Sequence, residues 1–346
     1  MKNKHKNLSI FVPHAGCPHR CSFCDQNAIS GTEEAPRPEY VSRLCEQFLP
    51  KDPVRGRDYE IAFFGGSFTA IERGYMIRLL EAARPFVRRG RARGIRCSTR
   101  PDAIDTEILS ILRSYNVTSI ELGAQSMDEK VLKANLRGHS AQSVYDAARL
   151  IKEEGFELGL QMMVGLYGRK DYMLDRMNTA ECFAEMEPAT VRIYPSLTLE
   201  NTRLAYWYRQ GRYVPPTLTE SVEICARLVP FFEERNITII KLGLHADTSL
   251  EESLVAGPYH QAFRELVESR ILLDRVKSEL SGQEKGRYVI YVRPQILSQM
   301  TGQKKSNISA LSLEGYAVTV RPDSSLEGRA VRIERSTEVN SVSKGD

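Results

Sequence analysis

Three cysteines fall within eight residues near the start of the chain, in the run Phe11-Val12-Pro13-His14-Ala15-Gly16-Cys17-Pro18-His19-Arg20-Cys21-Ser22-Phe23-Cys24. Their spacing is C-x3-C-x2-C. Thiolates are soft ligands suited to iron–sulfur clusters, and a tight loop can aim three of them at one cube. Most electron-transfer clusters take four cysteines, so three leave one iron without a protein ligand. An open coordination position marks catalytic metal sites, as against closed structural ones. The same run also admits a zinc site completed by His14 or His19. Cys45, Cys97, Cys182 and Cys225 stand singly in expected helices or strands and read as small buried hydrophobes. The odd total of seven cysteines and their clustering suggest metal or redox chemistry in a reducing compartment, not a disulfide framework.

Further polar groups recur where apolar runs end. Phe63-Phe64-Gly65-Gly66-Ser67-Phe68-Thr69 carries a glycine pair that lets backbone come close to a ligand and offer carbonyls to an ammonium group; a plain strand-to-helix turn needs the same residues. Cys97-Ser98-Thr99-Arg100-Pro101-Asp102, Glu121-Leu122-Gly123-Ala124-Gln125-Ser126 and Gln161-Met162-Met163-Val164-Gly165-Leu166 end later runs, and Leu136-Arg137-Gly138-His139 follows the second of these. Arg100, Asp102, Glu121, Arg192, Tyr194 and Lys241 are candidates to face a substrate, or equally to pair as salt bridges on strand ends.

The elements that must position these groups alternate. Expected strands are Leu8–Val12, Tyr59–Phe64, Ile95–Thr99, Ser119–Gly123, Glu157–Met163 and Thr190–Tyr194; amphipathic stretches such as Tyr75–Arg88, Thr106–Tyr115, Ala141–Glu154 and Tyr172–Met186 lie between them. Ala147, Ala148 and Ile151 recur at helical spacing and stop at Gly155. Repeated strand–helix units argue for a parallel sheet with right-handed crossovers. Six of them predict an α/β fold, an incomplete (β/α)6 TIM-like barrel or a strongly curved open sheet, with ligands at the C-terminal strand ends. The spacing predicts this core over 1–200 and a more helical part over 201–283, with helices at Thr219–Glu234 and from about Pro258 to Arg270 around an unassigned run Asn236–Leu244. A small α/β cap is expected over 284–335, with strands Arg287–Val292 and Tyr316–Arg321 about a helix near Pro294–Met300, followed by a disordered tail over 336–346.

On these motifs the chain resembles the radical S-adenosylmethionine superfamily. The resemblance implies a [4Fe-4S] cluster on Cys17, Cys21 and Cys24, with the open iron chelating the amino and carboxylate groups of S-adenosyl-L-methionine. It implies that Phe23 lies near the adenine and that Gly65 and Gly66 contact the methionyl amino group. Gln125 and Arg137 match the separation of a glutamine and an arginine that hold the cofactor's ribose and carboxylate in oxygen-independent coproporphyrinogen oxidase. Ser98 stands where related enzymes commonly have glutamate, and Gln161 where that oxidase has aspartate; both retain hydrogen-bonding capacity. An external one-electron donor would reduce the cluster, and cleavage of the cofactor would give a 5′-deoxyadenosyl radical that attacks the substrate.

Within the superfamily, residues 60–270 look most like the radical domain of the Elongator catalytic subunit. Gly65-Gly66-Ser67-Phe68-Thr69-Ala70, Thr99-Arg100-Pro101-Asp102, Arg137-Gly138-His139, Tyr194-Pro195-Ser196-Leu197 and Gly211-Arg212-Tyr213 appear in the same order. That family modifies wobble uridine in transfer RNA with an acetyl-CoA-derived group. Its cysteines are more widely spaced, and the stretch after residue 270 here is too short for its acetyltransferase domain.

Composition is that of a globular protein: 346 residues, 42% hydrophobic, 27% charged, and 48 basic against 44 acidic residues for a net +4. That charge permits an RNA partner without requiring one. No apolar run spans a bilayer, and the basic start Met1-Lys2-Asn3-Lys4-His5-Lys6 leads into too short an apolar run for a secretory signal, so a cytoplasmic protein with no membrane partner is expected. In the cap, Arg287, Arg293, Lys304, Lys305 and Arg321 supply charge, and Tyr288, Tyr291 and Tyr316 are candidates to stack on bases. Three readings follow: a transfer-RNA-modifying radical enzyme, a radical enzyme acting on a small molecule, and a non-catalytic zinc- or cluster-bearing RNA-binding module. The oligomeric state is not legible.

Overall fold

A computed structural model describes residues 6–13, 15–18, 20–30, 34–169, 171–244 and 248–336. Its main sheet is parallel throughout and runs in chain order: β1 (Lys6–Val12), β2 (Tyr59–Gly65), β3 (Gly94–Thr99), β4 (Val117–Gln125), β5 (Glu157–Val164), β6 (Thr190–Pro195) and β7 (Thr238–Leu242). The sheet therefore stays open, with β1 and β7 as its edges. Helices cross between successive strands, as right-handed β/α units require. This is the expected α/β partial barrel, with one strand more than expected. The seventh strand is the unassigned run after Glu234. Asn236 takes a left-handed turn at φ 59 and Thr238–Leu242 pairs beside β6, with Arg192 opposite Lys241.

Strands covered on both faces read as continuous buried runs. All six residues of β3 are buried, Arg96 included, and β4 is buried at every position except Thr118. The helices supply one apolar face each. Helix Arg73–Arg88 buries Met76, Leu79, Leu80, Ala83 and Phe86, and its first turn is capped by the Glu72 carboxylate, which accepts from the Gly74 and Tyr75 amides. Helix Ala141–Glu153 is capped by Ser140 and helix Leu218–Glu234 by the Thr217–Glu220 capping box.

The chain divides into two compact units, residues 1–224 with 228–261 and residues 225–227 with 262–346. In the second, the helix expected from Pro258 starts at Phe263 and runs to Leu280. Beside it β8 (Gly286–Val292) pairs in parallel with β9 (Tyr316–Pro322) and antiparallel with β10 (Val331–Arg335), a strand that sequence reading missed. Leu272, Val276, Ile290, Val292, Met300 and Leu311 form its core. Tyr288 and Tyr316 belong to that core and are not base-stacking platforms. They meet edge to face at 5.9 Å, and their hydroxyls donate to the Glu284 and Leu280 carbonyls. Tyr291 lies under the Arg332 guanidinium at 4.0 Å. Lys304 and Lys305 are exposed, both with left-handed backbone.

Among the described residues no helix is long and apolar enough to cross a membrane. His14, His19, the first five residues and the tail from 337 onward lie outside the described residues.

Candidate active site

The cysteine loop is held from two sides. On one side it lies against the turn that follows β2: the Gly66 amide donates to the Val12 carbonyl at 2.8 Å and the Ser67 amide to the Ala15 carbonyl at 2.9 Å. That approach is what the glycines make possible. A Cβ on Gly66 would fall inside the Ala15 carbonyl oxygen, and one on Gly65, whose φ is +114°, would meet the Val12 oxygen at 2.7 Å. The glycine pair thus seats the cysteine loop in addition to lining the site, and the Gly65 carbonyl accepts from Gln26 Nε2 at 2.7 Å. Gly66→Ala is expected to displace the loop and lose at least ~2 kcal/mol of stability, read as a lowered denaturant midpoint together with loss of iron uptake on reconstitution.

On the other side Ser22 and Asn135 form a polar clasp. The Ser22 amide donates to the Asn135 carbonyl at 3.1 Å, and Ser22 Oγ donates to Asn135 Oδ1 at 2.7 Å. Asn135 Nδ2 donates in turn to the Tyr167 carbonyl at 2.6 Å, and the Leu204 amide donates to Ser22 O at 2.8 Å. Cys21 and Phe23 pack with Val131, Leu166, Leu204 and Tyr213 around this clasp. Sequence reasoning did not find Ser22 or Asn135, because nothing in their spacing links positions 113 residues apart. Asn135→Ala strands the Ser22 hydroxyl and the Tyr167 carbonyl; a loss of about 2–3 kcal/mol is expected from calorimetric or urea unfolding.

At the C-terminal ends of the strands lies a cavity of about 270 Å³. Cys17, Cys21, Phe23 and Cys24 from the loop after β1 line it, with Gly65 and Gly66 from β2, Ser98 from β3, Gln125 from β4 and Gln161 from β5. Arg137 reaches in from the turn that follows helix Glu129–Ala134. All ten sequence-derived site residues therefore meet in one place. Of the six substrate-side candidates, Arg100, Arg192, Tyr194 and Lys241 line the cavity and Asp102 and Glu121 do not. Asp102 grips the Arg100 guanidinium through two bonds of 2.8 Å. Glu121 lies buried beneath the floor, accepting from Arg192 at 2.6 and 3.0 Å, Gln161 at 2.8 Å and Arg96 at 3.2 Å. Burial works to raise the Glu121 and Asp102 carboxyls, but their arginine partners outweigh it and hold both below the usual range.

Arg137 is central to the electrostatics. Its Nη1 donates to Cys21 Sγ at 3.0 Å, its Nη2 to the Gly123 carbonyl and its Nε to His139 Nε2 at 3.3 Å, with the guanidinium 6.0 Å over the Phe23 ring. Burial, then the Arg137 charge, pushes the His139 imidazole down to about 4, consistent with a neutral ring that accepts from arginine. Burial pushes the Cys24 thiol up to about 12, with Cys21 and Cys17 adding to the effect, and also raises Cys17. A metal bound there must displace those protons.

Among the described residues no three His, Cys, Asp or Glu side chains are gathered closely enough for a single ion. The three thiols all line the one cavity, the arrangement that a cluster held by three cysteines would need. Of the buried polar atoms without a hydrogen-bond partner among the described residues, two lie on cavity-lining residues: Gln125 Oε1 and Arg100 Nη1. An acceptor and a donor of this kind suit a polar, zwitterionic ligand. Of the remaining cysteines, Cys45, Cys97 and Cys225 are buried and Cys182 is half-buried.

The family model of the radical SAM superfamily matches residues 11–178, and that of its C-terminal domain matches residues 188–272. A tRNA uridine(34) acetyltransferase of Dehalococcoides mccartyi is 26% identical over 313 residues, covering 78% of this chain and 67% of that protein. One of Methanocaldococcus jannaschii is 30% identical over 255 residues, covering 63% and 47%. Human Elongator complex protein 3 is 32% identical over 142 residues, covering 39% and 25%. The chain thus spans between a quarter and two thirds of the length of these relatives. Among solved structures, the archaeal Methanocaldococcus infernus Elp3 with an N-terminal deletion superposes with a TM-score of 0.61 at 19% identity, over 81% of this chain and 64% of that one. The cysteine loop, the parallel partial barrel and these matches place the chain in the radical SAM superfamily of enzymes, as a homologue of Elp3.

Proposed function

We propose that this protein holds a [4Fe-4S] cluster on Cys17, Cys21 and Cys24, binds S-adenosyl-L-methionine in the adjoining cavity, and uses the pair to modify uridine in transfer RNA. The observation that carries the reading is the convergence of ten residues, the three thiols among them, from four strand ends and two loops on one cavity. Held there and reduced, such a cluster would supply one-electron chemistry, the reductive cleavage of S-adenosylmethionine to methionine and a 5′-deoxyadenosyl radical.

The chain's own part is positioning. Arg137 donates a hydrogen bond to the Cys21 sulfur and sets its positive charge beside the loop. Gln125 presents its carbonyl oxygen, and Arg100, fixed by Asp102, presents its remaining N–H to the polar ends of the ligand. Phe23 offers a flat apolar surface for adenine, and Ser98 and Gln161 offer hydrogen bonds to the ribose edge. On the far wall Arg192, Tyr194 and Lys241 face the substrate, with Arg192 held by Glu121 and stacked 4.6 Å from the Phe64 ring. Leu197, Leu199, Leu244 and Leu250 close the apolar side and exclude water.

Transfer RNA as the substrate rests on relatives whose names specify uridine 34 of tRNA. The test compares nucleosides in transfer RNA from cells with and without the protein, and incubates the reconstituted protein with S-adenosylmethionine, dithionite and the undermodified RNA. Disappearance of one C5-modified uridine in the deletion strain, and 5′-deoxyadenosine release stimulated by that RNA, are expected. An identical nucleoside profile sinks RNA as the substrate.

A further inference from the structure

A second opening, of about 830 Å³, reaches the same cysteine loop from the solvent side. Cys21 and Cys24 line both it and the ligand cavity, so the loop is the wall between the two; Cys17 lines the ligand cavity but not this groove. Around the groove stand Arg20, Lys133 and Arg203, all exposed and none in an ion pair among the described residues. Among the described residues the groove's one carboxylate, Glu129, is turned to the Ala141 amide at 2.6 Å, and the positive end of helix Ala141–Glu153 adds to the potential through Ser140. A continuous polar path leads inward, from His139 in the groove through Arg137 to the Cys21 sulfur.

From this arrangement we infer that the groove is the docking surface for a small acidic one-electron carrier protein, which reduces the cluster through Cys21 and Cys24. The inference rests on the cluster assignment proposed above. In the step itself the reduced carrier gives up one electron and the cluster gains it; no bond is made or broken. Charge is the complementary feature, since three unpaired cations steer an acidic partner and set its orientation while committing little area. Electron-transfer encounters are correspondingly small and short-lived. An RNA occupant is less well matched, because among the described residues no Phe, Tyr or Trp lines the groove to stack on bases. Leu136 is its only large aliphatic side chain.

The test drives the same reaction with two reductants, dithionite and a reduced acidic flavodoxin, and reads 5′-deoxyadenosine. In K133E/R203E, the flavodoxin concentration for half-maximal rate is expected to rise about tenfold or more at low ionic strength, with the dithionite-driven rate unchanged. Added salt should raise that concentration for the wild type and leave the variant nearly flat. An unchanged flavodoxin dependence overturns the inference, as does an equal loss with both reductants. So does a variant that keeps its flavodoxin dependence but loses affinity for transfer RNA, which would make the groove an RNA surface. If the wild type releases no 5′-deoxyadenosine even with dithionite, it is the cluster assignment that fails.

Discussion

Cys24→Ala is expected to abolish S-adenosylmethionine cleavage in the reconstituted protein, while Cys45→Ala leaves the rate per bound cluster intact. Cys24 lines the ligand cavity and shares its electrostatics with Cys21 and Cys17. Removing one of three thiolates leaves a cube with two protein ligands, and the cluster should be lost or fail to assemble. Cys45 is also buried, and burial pushes its thiol up to about 12 as well. It sits within helix Pro38–Phe48, outside the cavity, and acts as a small hydrophobe. Its replacement should cost only about 1 kcal/mol of stability. The contrast separates a ligand from an inert buried thiol, two groups that burial alone would not distinguish. Equal loss from both variants would mean that the ligands are misassigned.

The second large effect is expected far from the thiols. Arg96→Met should destabilise the protein by about 3–5 kcal/mol, a large share of the 5–15 kcal/mol typical of a folded domain. Arg96 is fully buried in the middle of β3. It donates to Glu60 at 2.7 Å, Glu121 at 3.2 Å and Glu157 at 2.5 Å. Burial acts to lower its guanidinium, but Glu121, Glu60 and Glu157 together raise it, so the charge persists. A methionine fills the space and leaves Glu60 and Glu121 with too little positive charge beside them. The loss would be felt at the cavity floor, since Glu121 also orients Arg192 and Gln161. Arg93→Met, at the half-exposed rim of the same network, should cost under ~1 kcal/mol because water screens the ion pair. Urea midpoints of the two variants decide the matter; similar losses would show that Arg96 carries no special weight.

Much of this arrangement was legible from residue types and spacing, and the reason is geometric. In a parallel α/β sheet the polar residue that ends an apolar run is at the C-terminal edge, where ligands gather. Hence the motifs around Gly65, Ser98, Gln125 and Gln161 could be placed on one rim without knowing any contact. Four things were not legible. Thr238–Leu242 carries Thr238 and Lys241 among its five residues, too short and mixed a run to register as a strand until β6 pairs with it. For Asp102 and Glu121 the sequence left open whether they face a substrate or pair as salt bridges, because it shows charge but not depth; each holds an arginine that does line the cavity. The tyrosines of β8 and β9 have the composition of an RNA surface, yet alternation along those strands turns Tyr288 and Tyr316 inward. Ser22 and Asn135 belong to the same class of omission, since a clasp between distant loops leaves no periodic trace.

What the three thiols hold decides the chemistry of the site. Iron, sulfide and zinc should be measured on anaerobically reconstituted wild-type protein, and the electron paramagnetic resonance spectrum of the reduced sample recorded with and without S-adenosylmethionine. About four irons per chain are expected, with a spectrum that shifts when the cofactor is added because the open iron gains its ligands. One zinc per chain, or a reduced cluster whose spectrum ignores S-adenosylmethionine, would contradict the site as described.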